Sequence, residues 1–183
     1  MFTNKAGDAS MIQKSSLTVL SLLLTISVIV CAQESPKLSY DLPKGWVEQE
    51  TTSRMRYAQF KLPKAGGAEE DASLVVYYFA GGGGGVQANF NRWKRQIKQQ
   101  AGEKTETFVK EFKGKKTHFI KMNGTYSPPP FLRQGGPKKG YRMVGAIMET
   151  KAGPFFFKIL GPKGAVTKHE GAFDEFLASV KVK

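Results

Sequence analysis

The chain of 183 residues has one cysteine and two histidines. A lone cysteine closes no internal disulfide, and so thin a Cys/His supply gives no ligand set for a structural zinc. Nothing repeats at a period of about 20 to 50 residues, which sets aside solenoids and propellers. Acid is scarce as well: 15 Asp and Glu face 28 Lys and Arg, for a formal charge of +13. No Gly-x-Ser-x-Gly elbow is present to mark a serine hydrolase, and no motif asks for a cofactor. What is present is a 40% apolar, 23% charged composition. That places the chain among single-domain globular proteins and away from collagens, coiled coils and disordered tails.

The longest uncharged stretch, Leu17 to Val30, follows Lys5 and Lys14 and precedes the polar residues Gln33, Glu34, Ser35 and Pro36. It is short for about 30 Å of hydrocarbon and has the length of a signal-peptide apolar region. We therefore read residues 1–32 as a signal peptide cut between Ala32 and Gln33, with Met11 as a second possible start. Lipid attachment at Cys31 is the competing reading, and Val30 stands where lipid-attachment motifs carry a small residue. Loss of residues 1–32 removes two Lys and one Asp, so the remaining 33–183 keeps a net charge of +12. The mature chain is expected to be periplasmic or extracellular, to have no transmembrane helix, and to hold all its surplus charge on the folded domain.

Along 33–183 the pattern alternates strands with two helical stretches. Leu38 to Leu42 reads as a strand, Pro43-Lys44-Gly45 as a turn, and Trp46-Val47 as the start of a second strand. Arg54 to Leu62 places Ala58, Phe60 and Leu62 on one face. The continuous apolar run Ser73 to Phe79 suits the middle of a sheet. Five glycines, Gly81 to Gly85, then lead into Val86, Phe90, Trp93 and Ile97, spaced as one face of a helix of about 12 to 14 residues. Two hairpins follow, one turning at Lys113-Gly114-Lys115 and one at Lys151-Ala152-Gly153. A closing helix is expected to begin at the capping-box pair Thr167 and Glu170 and to bury Phe173, Phe176, Leu177 and Val180. Hairpins force antiparallel neighbours, so the expected class is α+β, a mainly antiparallel sheet packed by two principal helices.

The segments Leu42-Pro43-Lys44-Gly45-Trp46, Phe60-Lys61-Leu62-Pro63 and Phe173 to Lys181 resemble exported bacterial domains of the PsbP-like class, over roughly Lys37 to Val182. The resemblance implies a central antiparallel sheet with helices against it, and binding of partners rather than catalysis. Plant members of that class assist the oxygen-evolving side of a photosystem. The fold by itself fixes no function.

The glycine run lies between a strand and a helix, where phosphate loops lie, but Gly85 is followed by Val86-Gln87 instead of Lys-Ser/Thr, so it reads as a flexible connector. His118 and His169 read as packing residues. Glu69-Glu70-Asp71 reads as a solvated loop, since adjacent acids do not converge on one cation. Positive charge is the feature with functional content. Arg92 and Arg95 on the first helix, with Lys94 and Lys98, and Lys113, Lys115 and Lys116 at the first hairpin are candidates for binding an anion. Phe131 and Leu132, flanked by Arg133, Lys138 and Lys139 in the Pro/Gly-rich stretch 127–140, are candidates for holding a partner. The expected partner is a protein or an anionic component of the cell envelope. Nucleic acid is not expected, because no recognition motif accompanies the charge. The alternatives are a general polyanion-binding module, or a hydrolase whose pocket unites His118 or His169 with a carboxylate.

Overall fold

A computed structural model describes residues 35–51, 53–128 and 136–183. The expected signal peptide with Cys31, and the candidates Phe131, Leu132 and Arg133, lie outside the described residues. In chain order the elements are β1 (Leu38–Ser39), β2 (Val47–Gln49), β3 (Ala58–Leu62), β4 (Ala72–Tyr78), α1 (Gly85–Lys94), β5 (Ile97–Lys98), β6 (Glu106–Phe112), β7 (Lys115–Tyr126), β8 (Lys138–Met148), β9 (Phe155–Pro162), α2 (Lys163–Ser179) and β10 (Lys181–Val182). Eight strands form one antiparallel sheet in the order β2-β3-β4-β9-β8-β7-β5, with β6 also on β7. The class is α+β, as the hairpin pattern requires.

Alternation along the strands assigns each side chain to a face. On β9, Phe155, Phe157 and Ile159 belong to a cluster that includes Val166, Phe173, Phe176 and Leu177 of α2, while Phe156 joins Phe90 and Trp93 of α1 on the other side. The sheet is therefore covered on both faces, but unequally: 20 buried apolar residues line the α2 side and eight the α1 side. Tyr40, Trp46, Phe60 and Phe157 surround Phe176 at ring separations of 5.1 to 6.2 Å. Edge and tilted arrangements of this kind add to the area term for burying large rings.

Three local features depart from the sequence pattern. The first helix stops at Lys94, and Ile97 enters β5 opposite Tyr126 of β7. Ile97 is buried in the α1-side core, so a strand satisfies its apolar side chain as well as another helical turn would. The second helix starts at Lys163, a full turn before Thr167. Pro162 ends β9 and serves as N-cap without a side-chain cap. At Gly164 an added Cβ would meet the Gly66 carbonyl oxygen at 2.4 Å, so the loop before β4 crosses the first turn where only glycine fits. Finally, β1 pairs with β10, which joins the two ends of the described body. The first hairpin follows its glycine: Lys113 and Gly114 both have positive φ, 48° and 76°, the type I′ geometry that suits the twist of the flanking strands.

Candidate functional site

Where β5 meets the end of β7, a cleft of about 550 Å³ opens between Lys98, Gln99, Gln100, Thr125, Ser127 and Lys139. Gly124 permits this junction: its φ is 150°, and a Cβ there would lie 2.4 Å from the Lys98 carbonyl oxygen. Lys98 and Lys139 are exposed and have no ion-pair partner among the described residues. Neighbouring Lys138 differs, because Glu70 lies 2.7 Å from its Nζ. The Lys138 hydrogen bond, helped by the Tyr141 hydroxyl, holds the Glu70 carboxyl below the usual carboxylate range. Gln99 accepts from the Thr105 hydroxyl through Oε1, while its Nε2 is buried with no hydrogen-bond partner among the described residues. A buried donor left without an acceptor costs roughly 1–3 kcal/mol. Among the described residues no Asp or Glu lines the cleft, so its side chains favour a ligand that accepts hydrogen bonds and bears negative charge.

The other basic candidates are divided between the two ends of the sheet. Arg92 and Arg95 are exposed near the C-terminus of α1, just before Ile97 pairs with Tyr126. Lys113, Lys115 and Lys116 are at the opposite end of β7. Ten residues separate Lys116 from Tyr126 in that strand, which is about 33 Å of extended chain. The two halves of the expected anion-binding set are therefore not brought together. Arg92 also donates to Asn89 Oδ1 at 2.9 Å.

Asn89, 2% exposed, turns its amide back on the glycine run and donates to the carbonyls of Gly83 and Gly85 at 2.8 and 2.7 Å. The run is thus a pinned turn and not a flexible connector. At Gly83 a Cβ would strike the Phe79 and Phe156 rings at 2.8 Å. The glycines serve close packing of the α1 entry on the aromatic sheet face.

The two histidines take different places. His169 accepts from the Trp46 indole N–H at Nδ1, 3.2 Å, and donates from Nε2 to the Pro63 carbonyl, 2.7 Å. Both ring nitrogens are used for packing, as expected from sequence. His118 Nε2 lies 2.7 Å from Glu149 Oε1, a contact between an imidazole and a carboxylate of the kind the hydrolase alternative requires. His118 is also directly opposite Ile147, which lines a second cleft of about 330 Å³ with Val86, Glu149, Thr150, Pro154 and Phe156. The acidic run Glu69-Glu70-Asp71 does not converge: Glu70 takes Lys138 and Tyr141, and Asp71 accepts from the Lys64 N–H. Among the described residues no group of three or more potential ligands could hold a metal.

Sequence reasoning missed Lys158. It sits on the central strand β9, cross-strand from Gly145 and Val75, on the face that α1 only partly covers. Burial, reinforced by the nearby Arg56 charge, pushes its amine down to about 8. The signal available was a single lysine inside the aromatic and aliphatic run Phe155 to Leu160.

In layout the chain is similar to several solved structures, two of which illustrate the likeness. One is a protein of unknown function from Pseudomonas aeruginosa, PA94, 16% identical over 79% of this chain and 94% of that one, with a TM-score of 0.46. The other is the cyanobacterial PsbP (CyanoP) of Synechocystis sp. PCC 6803, 10% identical over 81% of this chain and 93% of that one, with a TM-score of 0.44. The second is a protein of the class that the sequence segments resemble. No protein-family model matches the chain, and no curated protein matches it. Identities this low speak of layout and say nothing of activity.

Among the described residues no helix is long and apolar enough to cross a membrane. The site with the clearest ligand preference is the donor-lined cleft of Lys98 and Lys139. Its lysines and amide are suited to holding an anion, and nothing in its lining supplies a nucleophile activated by a base.

Proposed function

We propose that this chain is an exported, non-catalytic accessory domain that recognises an anionic component of the cell envelope, or the acidic surface of a partner protein, through the Lys98–Lys139 cleft. The supporting observation is the lining of that cleft: two lysines without ion-pair partners among the described residues, a buried amide donor at Gln99, two hydroxyls, and no carboxylate. Export rests on the Leu17 to Val30 apolar run behind Lys5 and Lys14. Attraction of this kind is screened within about 8 Å at physiological salt. Retention on a sulfated or phosphorylated matrix is therefore expected to fall steeply as salt rises. Lys98→Gln with Lys139→Gln should lower the eluting salt more than Lys113→Gln with Lys116→Gln at the far end of β7. Equal elution of the two double variants and the unaltered chain would defeat the reading.

The His118–Glu149 pair favours a second reading, hydrolysis in the smaller cleft. A carboxylate at 2.7 Å fixes the imidazole and supports it as a general base, and the apolar floor of Ile147 and Phe156 would hold a substrate's hydrocarbon part. Thr150, the hydroxyl in that cleft, donates instead to the Gly153 carbonyl at 2.6 Å, so the attacking group would have to be water. Turnover of simple esters that disappears in His118→Ala would establish this reading. Its absence in the purified chain would leave the binding function alone.

A further inference from the structure

The sheet face beyond α1 has a second concentration of positive charge, independent of the cleft at Lys98 and Lys139. Lys158 projects from the middle of the sheet. Its Nζ reaches one described hydrogen-bond partner, Gln96 Oε1 at 3.2 Å. An ammonium carries three donors, so two are left without a partner among the described residues. Arg56 approaches from the other side, with its guanidinium donating to Gln59 Oε1. Gln59, Val75 and Lys158 are successive cross-strand neighbours on β3, β4 and β9. That puts Gln59 and Lys158 about 10 Å apart at the usual strand spacing, with Val75 buried between them.

Around this space the side chains are aromatic or apolar. Tyr77 and Phe79 stack with parallel rings at 6.3 Å, Tyr126 and Tyr141 do the same at 6.0 Å, and Leu160 continues the face from Lys158. Burial raises both the Tyr77 and Tyr126 phenols, and the Arg56 charge acts on each in the opposite direction. Neither hydroxyl has a hydrogen-bond partner among the described residues. Burial and the Arg56 charge both act against the Lys158 charge, and no carboxylate among the described residues offsets them.

A lysine kept only for structure is normally paired or extended to water. Here two cations, two phenols and two amide side chains surround an apolar floor, and the missing component is negative charge. We propose that Arg56 and Lys158 form a binding site for a small organic oxyanion, a carboxylate or phosphate group on an apolar body that lies against the partly exposed Tyr77 and Leu160. The anion bridges the two cations, accepts the spare donors of Lys158, and removes the repulsion between them. The apolar body covers the part of the sheet that α1 leaves open.

The test uses the full purified chain and three probes: benzoate, phenyl phosphate and inorganic phosphate. Competitive trace acylation of the amines, read residue by residue by mass spectrometry, reports on Lys158 directly. Benzoate or phenyl phosphate is expected to slow acylation of Lys158 while leaving the exposed lysines unchanged. The probe concentration needed should rise about tenfold or more in Arg56→Gln, the size expected for losing a charge-assisted hydrogen bond. Lys158→Met, followed by calorimetric titration, should show a similar loss. Comparing benzoate with phenyl phosphate decides which oxyanion is preferred, and weaker binding of inorganic phosphate shows the contribution of the apolar body. Unchanged Lys158 acylation with all three probes overturns the proposal, as does binding that persists at full strength in both variants. Arg56 is at the partly exposed rim, so its variant reports on a folded chain even if Lys158→Met fails to fold. Lys98→Gln with Lys139→Gln should leave this binding intact, which separates failure here from failure of the envelope-binding reading.

Discussion

The two faces of the sheet are built to different standards. On the α2 side a 17-residue helix seals 20 buried apolar residues, and the charges at its edge are matched. Glu170 takes both Lys121 and Arg142, and Asp174 takes Lys110. On the α1 side a 10-residue helix covers eight buried apolar residues. The glycine turn, both clefts and the cations Lys98, Lys139, Arg56 and Lys158, which have no ion-pair partner among the described residues, border this face or its edge. Dry packing with paired charge gives stability, whereas spare donors and open sheet cost stability and leave chemistry available to a ligand. The α2 face therefore holds the fold, and both proposed binding surfaces lie on the α1 face or at its edge.

If this division is right, the largest loss comes from the α2 face. Phe176→Ala removes the ring at the centre of Tyr40, Trp46, Phe60 and Phe157, and denaturant unfolding should show a loss of about 3–5 kcal/mol. The counterpart on the other face is Gly145→Val. An added Cβ at Gly145 would sit 2.2 Å from the Trp93 ring, so α1 must lift from the sheet, at about 1–3 kcal/mol for an overpacked contact. Amide exchange should then accelerate across 85–98 and stay slow in α2. Equal acceleration in both helices would break the comparison, since it would make the two faces one cooperative unit.

Glu170 sharpens it further. Its burial alone would raise the carboxyl, but hydrogen bonds from Lys121 and Arg142 outweigh that and hold it below the usual value. A carboxylate lowered on folding adds stability that is complete above its unfolded value, near about 4.3, and is lost as pH falls through the folded value. Glu170→Gln should therefore cost about 2 kcal/mol at neutral pH, because it leaves two cations competing for a neutral amide. The difference from the unaltered chain should shrink below about pH 4. A constant difference across that range would show that the cost is steric and that charge pairing does not secure this rim.

Much of the fold was legible because it is written in short-range periodicity. The alternation of Ala58, Phe60 and Leu62, the Lys113-Gly114 turn, and the stripe Phe173, Phe176, Leu177 and Val180 each fix a local structure that burial then confirms. What escaped is set by partners distant in sequence. Ile97 fits a helical stripe equally well, and only the pairing opposite Tyr126 makes it a strand. The two residues of β1 cannot announce that β10 is their partner. Positive charge was legible as a total, but its division between the ends of β7 depends on strand direction and register. Lys98 and Lys139 become one cleft only when β5 folds beside β7. Arg56 was passed over because it looks, in sequence, like an ordinary polar position in an alternating strand, and Lys158 because an apolar run around a lysine does not show which charges its neighbours carry.

The smallest effect expected is opposite in sign. Lys158 is lowered on folding to about 8, by burial first and by Arg56 second. The folded chain therefore binds fewer protons than the unfolded chain between pH 8 and the ordinary lysine value near about 10.4. The destabilisation from its charge is fully present below pH 8 and is relieved as pH rises through that window. Lys158→Met keeps the length and removes the charge, so it should stabilise the chain at pH 7, by about 1 kcal/mol because the ammonium keeps some access to water. The gain should fade toward pH 10, where the unaltered amine is neutral in the folded state. If Lys158→Met destabilises at pH 7 to the extent that Glu170→Gln does, Lys158 is a matched structural charge, and the α1 face is as fully satisfied as its opposite.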